Sequence, residues 1–121
     1  VLYQSLKTAG FYMQAFDPFF GHSWKDLEPP FDFVVSTEVV EHFRDVRNEW
    51  QRLAQLLKPG AWAYIMTEVH HPERDFSSWH YRRDPTHISL HSEKTLRALC
   101  GQGLFQDFER FHPRVFGLRK A

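Results

Sequence analysis

A single cysteine, Cys100, leaves this 121-residue chain with no possible internal disulfide. That agrees with a reducing compartment. No run of roughly 18 consecutive apolar residues is present, so a membrane-spanning helix is not expected. The start of the chain has no charged-then-apolar leader layout either. These absences lead to the expectation of a soluble, cytoplasmic protein. Excess charge of one sign is also missing: 15 Lys and Arg face 15 Asp and Glu. The chain therefore carries no polybasic footprint for nucleic acid or anionic lipid. No H-E-x-x-H or comparable closed ligand set occurs, which argues against a metal-dependent hydrolase. Internal repeats and low-complexity tracts are absent as well.

Aromatic residues are plentiful, at 17% of the chain with twelve Phe and four Trp. The length suits one domain, or part of one, with a real core. The chain opens on Val1 rather than Met and already in mid-pattern, which suggests a truncated domain spanning residues 1–121. Val1 to Ala9 reads as the end of a helix, with Leu2, Leu6 and Ala9 on one face and Gly10 as its stop. Phe11 to Phe16 reads as a short strand closed by an Asp17-Pro18 turn. Phe19 to Pro30 has no clear period and reads as loop.

Phe31 to Ser36 (FDFVVS) is an apolar run of the kind buried on both faces in a parallel sheet. From Asp45 to Leu57, helical spacing places Val46, Trp50, Leu53 and Leu57 together, with a stop at Lys58-Pro59-Gly60. Ala61 to Thr67 is a further buried strand. A polar stretch from Glu68 to Leu90 carries His70, His71, His80 and His87. Ser92 then opens a helix that turns Leu96, Leu99 and Cys100 inward. Phe105–Arg110 and Arg114–Leu118 flank His112-Pro113 as an antiparallel pair. Strands alternating with helices predict an α/β fold with a mostly parallel sheet, helices on both faces and a C-terminal antiparallel hairpin. Ligands in such sheets sit beyond the carboxyl ends of the strands. That directs attention to Asp17, to Ser36–His42 and to Thr67–His71.

The runs FDFVVSTEVVEHF and LLKPGAWAYIMT, one helix apart, resemble two signature blocks of class I S-adenosylmethionine-dependent methyltransferases. Asp17 after an apolar run is similar to the acidic residue at the end of that family's second strand. WHYRRDPTHISLHSEKTLRAL resembles a segment found before the last helix in a subset of these enzymes. The four blocks stand in the family's order and cover nearly the whole chain. The resemblance implies a Rossmann-like fold, S-adenosylmethionine as cofactor and a small-molecule methyl acceptor. The family's first strand and its G-x-G-x-G loop are not in these 121 residues. The interval from Asp17 to Phe31 is also short for the usual helix and third strand. The resemblance thus implies a C-terminal portion that needs further sequence for activity, with an exposed sheet edge through which copies can associate.

Candidate site residues follow from the same positions. The resemblance implies that Asp17 takes the vicinal hydroxyls of a ribose, since a charged acceptor makes strong hydrogen bonds; the residues alone favour an Asp-Pro turn. Ser36, Thr37 and Glu38 follow the strand where the family lines its cofactor cleft, and Ser36 or Thr37 can also serve as a helix cap. Glu38, Glu41 and His42 form E-x-x-E-H, which on a helix puts two carboxylates and an imidazole on one face. Such a set suits a divalent ion (Mg²⁺, Mn²⁺, Fe²⁺ or Zn²⁺), with a histidine of the long loop as a further ligand. The spacing resembles a metal-binding variant in small-RNA 2′-O-methyltransferases and some ubiquinone-pathway enzymes, while "EH" here also serves as a structural pair. Arg82 and Arg83 suit an anionic substrate group. His42, His80 and His87 are the candidate bases near neutral pH. A degenerate, non-catalytic interaction module is the alternative reading.

Overall fold

The computed structural model describes residues 2–17 and 22–121. The expectations for Val1, Pro18, Phe19 and Gly21 lie outside the described residues. Helix α1 (Leu2–Thr8) is short and buries none of its side chains. Gly10 closes it with a φ of 99°, in the left-handed region that favours glycine.

Phe11 to Phe16 does not form the expected strand. An extended apolar run becomes a strand only where a neighbouring ladder can satisfy its backbone, and none is offered here among the described residues. The segment is tied by side chains instead, with Gln14 accepting from the Glu28 amide at 2.9 Å. Phe16 stacks on Trp24 at 4.3 Å between ring centroids. Trp24–Asp26 is a single 3₁₀ turn inside the expected loop, closed by a capping box from Ser23.

The sheet follows. Strands β1 (Phe31–Thr37) and β2 (Leu57–Met66) pair in parallel. β5 (Phe105–His112) and β6 (Val115–Lys120) form the expected antiparallel hairpin, and β6 joins β2 antiparallel, giving the order β1-β2-β6-β5. The Lys58-Pro59-Gly60 turn is absorbed at the start of β2. The register jumps there from Phe31↔Leu57 to Phe33↔Trp62, so the extra residues loop out around Gly60. Helix α2 (Val46–Gln55) is capped by Asp45, whose carboxylate accepts the Asn48 amide at 3.3 Å. It buries Trp50, Leu53 and Ala54 as its period requires, whereas Val46 stays 40% exposed in the first turn. Leu57 is buried from β2 rather than from the helix. Helix α3 (Glu93–Ala98) starts at Ser92 with a Ser92–Thr95 capping box and turns Leu96 into the core.

The two faces of the sheet differ. Ala63, Ile65, Phe116 and Leu118 meet α2 and α3 on one face and form the core with Trp50, Leu96 and Phe105. On the other, Phe33, Val35, Trp62 and Tyr64 line an open groove of about 460 Å³ beside Leu6 and Phe11. Gly117 lies on this face, where a Cβ would come 2.7 Å from the Phe111 ring. Fold class and strand–helix alternation thus match the sequence expectation. No helix among the described residues is long and apolar enough to cross a membrane.

The Glu68–Leu90 stretch is more ordered than a plain loop. β3 (Val69–His70) pairs in parallel with β4 (His91–Ser92), which ties the two ends of the excursion together. Two 3₁₀ turns, Phe76–Ser78 and His80–Arg83, lie between them. Trp79 and Tyr81 are the buried anchors, at 3% and 6% exposure.

Candidate active site at the carboxyl ends of β1 and β2

The chain leaves β1 at Thr37 and turns sharply. Glu38 adopts φ 54°, the only positive φ at a non-glycine among the described residues. Its amide donates to Met66 O at 2.9 Å, which holds the turn against the end of β2. Left-handed backbone at a side-chain-bearing residue costs energy and is often kept at functional sites. Only Val40–His42 is helical after this turn, as one 3₁₀ turn. The helical spacing assumed for E-x-x-E-H therefore does not apply to Glu38.

Glu38 faces the excursion and the hairpin instead. Arg114 Nη2 donates to Glu38 Oε1 at 2.7 Å, and the Tyr81 hydroxyl donates to its other oxygen. The same hydroxyl lies 2.6 Å from Glu41 Oε1, while Thr67 Oγ1 donates to Glu41 Oε2 at 3.1 Å. Glu41 is fully buried. Burial, and then the adjacent Glu38, push the Glu41 carboxyl above its usual range. Burial acts in the same direction on Glu38, but its hydrogen bonds with Glu41, Tyr81 and Arg114 outweigh it and hold that carboxyl low. Burial, followed by the two carboxylates, raises the Tyr81 phenol.

The two histidines are oriented alike. His42 Nδ1 is 2.9 Å from Thr86 O and His87 Nδ1 is 2.6 Å from Tyr81 O. A carbonyl oxygen only accepts, so each Nδ1 carries a hydrogen and each Nε2 is left to act. Glu41, His42 and His87 come together with ligand atoms within 4.8 Å of one another. Glu38 is not one of this group, which departs from the expected set of Glu38, Glu41 and His42. His80 stands apart and is largely exposed, its Nε2 3.4 Å from Glu68 Oε2. Glu68 also accepts from Trp79 Nε1 at 2.9 Å and Arg74 at 3.0 Å. The Trp79 bond, then His80 and Arg74, hold its carboxyl low against the opposing effect of burial.

The remaining sequence candidates are more dispersed. Ser36 is buried, and its hydroxyl, an acceptor and donor at the carboxyl end of β1, has no partner among the described residues. Thr37 is exposed beside it. The Asp17 amide donates to His22 Nδ1 at 2.9 Å, and His22 N returns a bond to Asp17 O at 3.3 Å. Arg82 Nε donates to Ser77 O at 3.2 Å and its guanidinium covers Phe76. The role of Arg114 was not signalled by the sequence, because it lies outside the strand-end blocks; Tyr81 lies in the W-x-Y…DPTH segment expected over the substrate end, but its bonds to Glu38 and Glu41 were not legible there.

Residues 3–103 match the protein family described as Methyltransferase domain. No curated protein sequence matches the chain. Among solved structures it resembles phosphoethanolamine N-methyltransferase 2 of Haemonchus contortus, in complex with S-adenosyl-L-methionine. The identity is 26% and the TM-score 0.54, over 68% of this chain and 19% of that one. A possible histamine N-methyltransferase from Thermotoga maritima aligns at 14% identity and TM-score 0.57, over 76% and 57% respectively. The mitomycin 7-O-methyltransferase aligns at 16% and 0.57, over 83% and 33%. The chain thus spans about a fifth to just over half of these structures. The family match over most of its length, with the strand order and hairpin described above, makes the chain a member of the class I S-adenosylmethionine-dependent methyltransferase family.

Proposed function

We propose that this chain forms the acceptor-side portion of an enzyme that transfers a methyl group from S-adenosylmethionine to a small-molecule acceptor. The observation that carries this reading is the polar cluster of Glu38, Glu41, Tyr81 and Arg114 at the carboxyl ends of β1 and β2, under the Glu68–Leu90 excursion. Ligands of open α/β sheets bind at that end. The Ser36 hydroxyl, which has no partner among the described residues, fits a ligand with polar groups there. Ser36, Thr37 and Glu38 line the cofactor side in this reading, and Asp17 takes the ribose hydroxyls.

The cofactor brings an already activated methyl group. What remains for the protein is to hold the acceptor in line, which in favourable cases lowers a barrier by about 7–11 kcal/mol. A hydroxyl or ammonium acceptor must also lose a proton; His42 and His87 are the imidazoles beside the cluster able to take it, with the exposed His80 as a third candidate. The relatives named above that methylate an amine or a hydroxyl support the reaction class without choosing the acceptor.

Calorimetric titration with S-adenosylhomocysteine tests the reading. The 121 residues alone are expected to bind weakly or not at all, because no G-x-G-x-G loop is among them. A longer form that includes such a loop is expected to bind, and Asp17→Ala to weaken it by about 1.5–3 kcal/mol for each charge-assisted bond lost. A longer form that folds but does not bind overturns the reading.

A further inference from the structure

We propose that the outer edge of β1 is a self-pairing interface, through which two copies of this chain join their sheets antiparallel about a twofold axis at Val34. The argument rests on the strand and not on the methyl-transfer reading.

The two edges of the sheet are unlike. β5, at one end of the order β1-β2-β6-β5, carries Asp107, Glu109 and Arg110 along its length. Charges of this kind keep an edge from pairing with another chain. β1, at the other end, reads FDFVVST, with no Lys, Arg or Pro. Its one charge, Asp32, is held by Lys58 Nζ at 2.6 Å. The extra residues of the β1–β2 ladder lie on β2, so no bulge bends β1 away. Phe11 meets the Phe33 ring at 5.4 Å between centroids, but no backbone bond joins residues 11–17 to β1 among the described residues.

The ladder fixes which backbone groups are left over. The Glu38 amide donates to Met66 O, and Val34 and Ser36 lie opposite Ala63 and Ile65. Backbone groups alternate along a strand, so those of Val34 and Ser36 also point at β2. Those of Phe33, Val35 and Thr37 point outward. An antiparallel partner must set outward residues opposite outward residues. An axis at Val34 does so: Phe33 faces Val35 of the second copy, and Val35 faces its Phe33. Each of these pairs exchanges both of its hydrogen bonds.

Charge and bonding select this register. An axis at Val35 would bring Asp32 opposite Glu38 of the other copy, and like charges directly opposite are destabilising. An axis at Phe33 would set Val35 opposite Phe31, whose amide is already donated to Leu56 O. With the axis at Val34, Asp32 stands opposite Ser36. Phe33 and Val35 then form an aromatic–β-branched pair on either side of the axis, and the two open grooves join across it. Such a contact is isologous and closes at two copies, because the charged β5 edge offers no second site.

Sedimentation equilibrium on the 121-residue chain, from micromolar to millimolar concentration, is expected to show monomer and dimer with no larger species. Val35→Pro removes an outward N–H and spares the β2 ladder. It is expected to raise the dissociation constant at least about tenfold. Cross-linking in a Cys100→Ser background reads the register. Val34→Cys places two thiols on the axis, with Cα atoms about 4.5 Å apart, within the span of a disulfide. It is expected to oxidise to a covalent dimer, and Thr37→Cys, off the axis, is not. In the wild-type chain the Phe33 and Val35 amides are expected to exchange more slowly as concentration rises, with Val34 unchanged. That measurement keeps the test intact if a variant fails to fold. A monomer at every concentration, open-ended association, or a dimer unmoved by Val35→Pro overturns the interface. So does cross-linking through Thr37→Cys rather than Val34→Cys. Phe33 and Val35 amides already slow in the monomer would mean that a segment of the same chain closes the edge, and overturn it as well.

Discussion

Arg114 Nη2 lies 2.7 Å from Glu38 Oε1, so the turn of the C-terminal hairpin is fastened to the residue that leaves β1. The contact spans most of the sheet in sequence and fixes the rim of the candidate site. Both side chains are partly exposed, at 48% and 35%, so solvent screens the pair. Arg114→Ala is expected to lower stability at pH 7 by less than about 1 kcal/mol. Glu38 has a folded-state carboxyl held below the ordinary 4.5, so this contribution is present above that value and is lost as pH falls through the folded one. Urea midpoints of wild type and variant at pH 7 and pH 3.5 check this. An equal difference at both pH values would sink it.

Tyr81 is the stronger fastening. Its hydroxyl contacts Glu38, Glu41 and Thr67, the last at 3.3 Å, and its ring stacks on Trp79. Tyr81→Phe keeps the ring and leaves buried Glu41 short of a partner, at a cost of about 1–3 kcal/mol. The change is expected to speed hydrogen exchange at Ile88 and Ser89, whose amides donate to Glu41 O at 2.9 Å each. Unchanged exchange there, with unchanged stability, would show that the hydroxyl is not what holds the excursion down.

His91 provides a pH-dependent term elsewhere in the core. It is 7% exposed and packs edge-on against Trp50, and its Nδ1 has no partner among the described residues. Burial lowers its affinity for a proton below the ordinary 6.5, against the opposing effect of a hydrogen bond to the Ser89 backbone. The unfolded chain therefore takes up a proton below pH 6.5 that the native one resists, and stability falls as pH drops through that value. One such proton corresponds to a slope of about 1.4 kcal/mol per pH unit at most. His91→Gln is expected to flatten the decline between pH 7 and pH 5. If the two proteins decline in parallel, His91 is not the source.

The sequence carried much of this architecture, for physical reasons that can be named. FDFVVS and AWAYIM are apolar runs that pair as neighbouring strands, and Asp45 and Ser92 are caps whose side-chain bonds form where the sequence places them. The hairpin is legible from two apolar runs around His112-Pro113. Phe11–Phe16 misled because propensity is local while a strand needs a partner. Glu38 was placed by helical spacing, but the positive φ that follows β1 re-aims its side chain toward Arg114. Tyr81 and His87 sit in a segment with no period, where contacts are set by tertiary packing. The sequence narrowed His87 only to one of several loop histidines.

The last expectation concerns the open edge of the sheet. β2 is bounded by β1 and β6, so Ile65 lies inside the sheet, buried and fully paired on both sides of its strand. β1 has a neighbour strand on one side only among the described residues. Backbone groups alternate direction along a strand, so only every second amide of β1 faces β2. From Tyr12 to Phe16 no amide is donated to a protein acceptor among the described residues. Hydrogen exchange is therefore expected to be slowest at Ile65, to alternate along Val34 and Val35, and to be fast from Tyr12 to Phe16. Dilution separates a lone sheet from an associated one. An apolar edge invites a second strand, and pairing between copies would slow the outward-facing β1 amides as protein concentration rises. Uniform protection along β1 at every concentration would mean that a segment of the same chain closes the edge, and that Phe11–Phe16 is paired in solution after all.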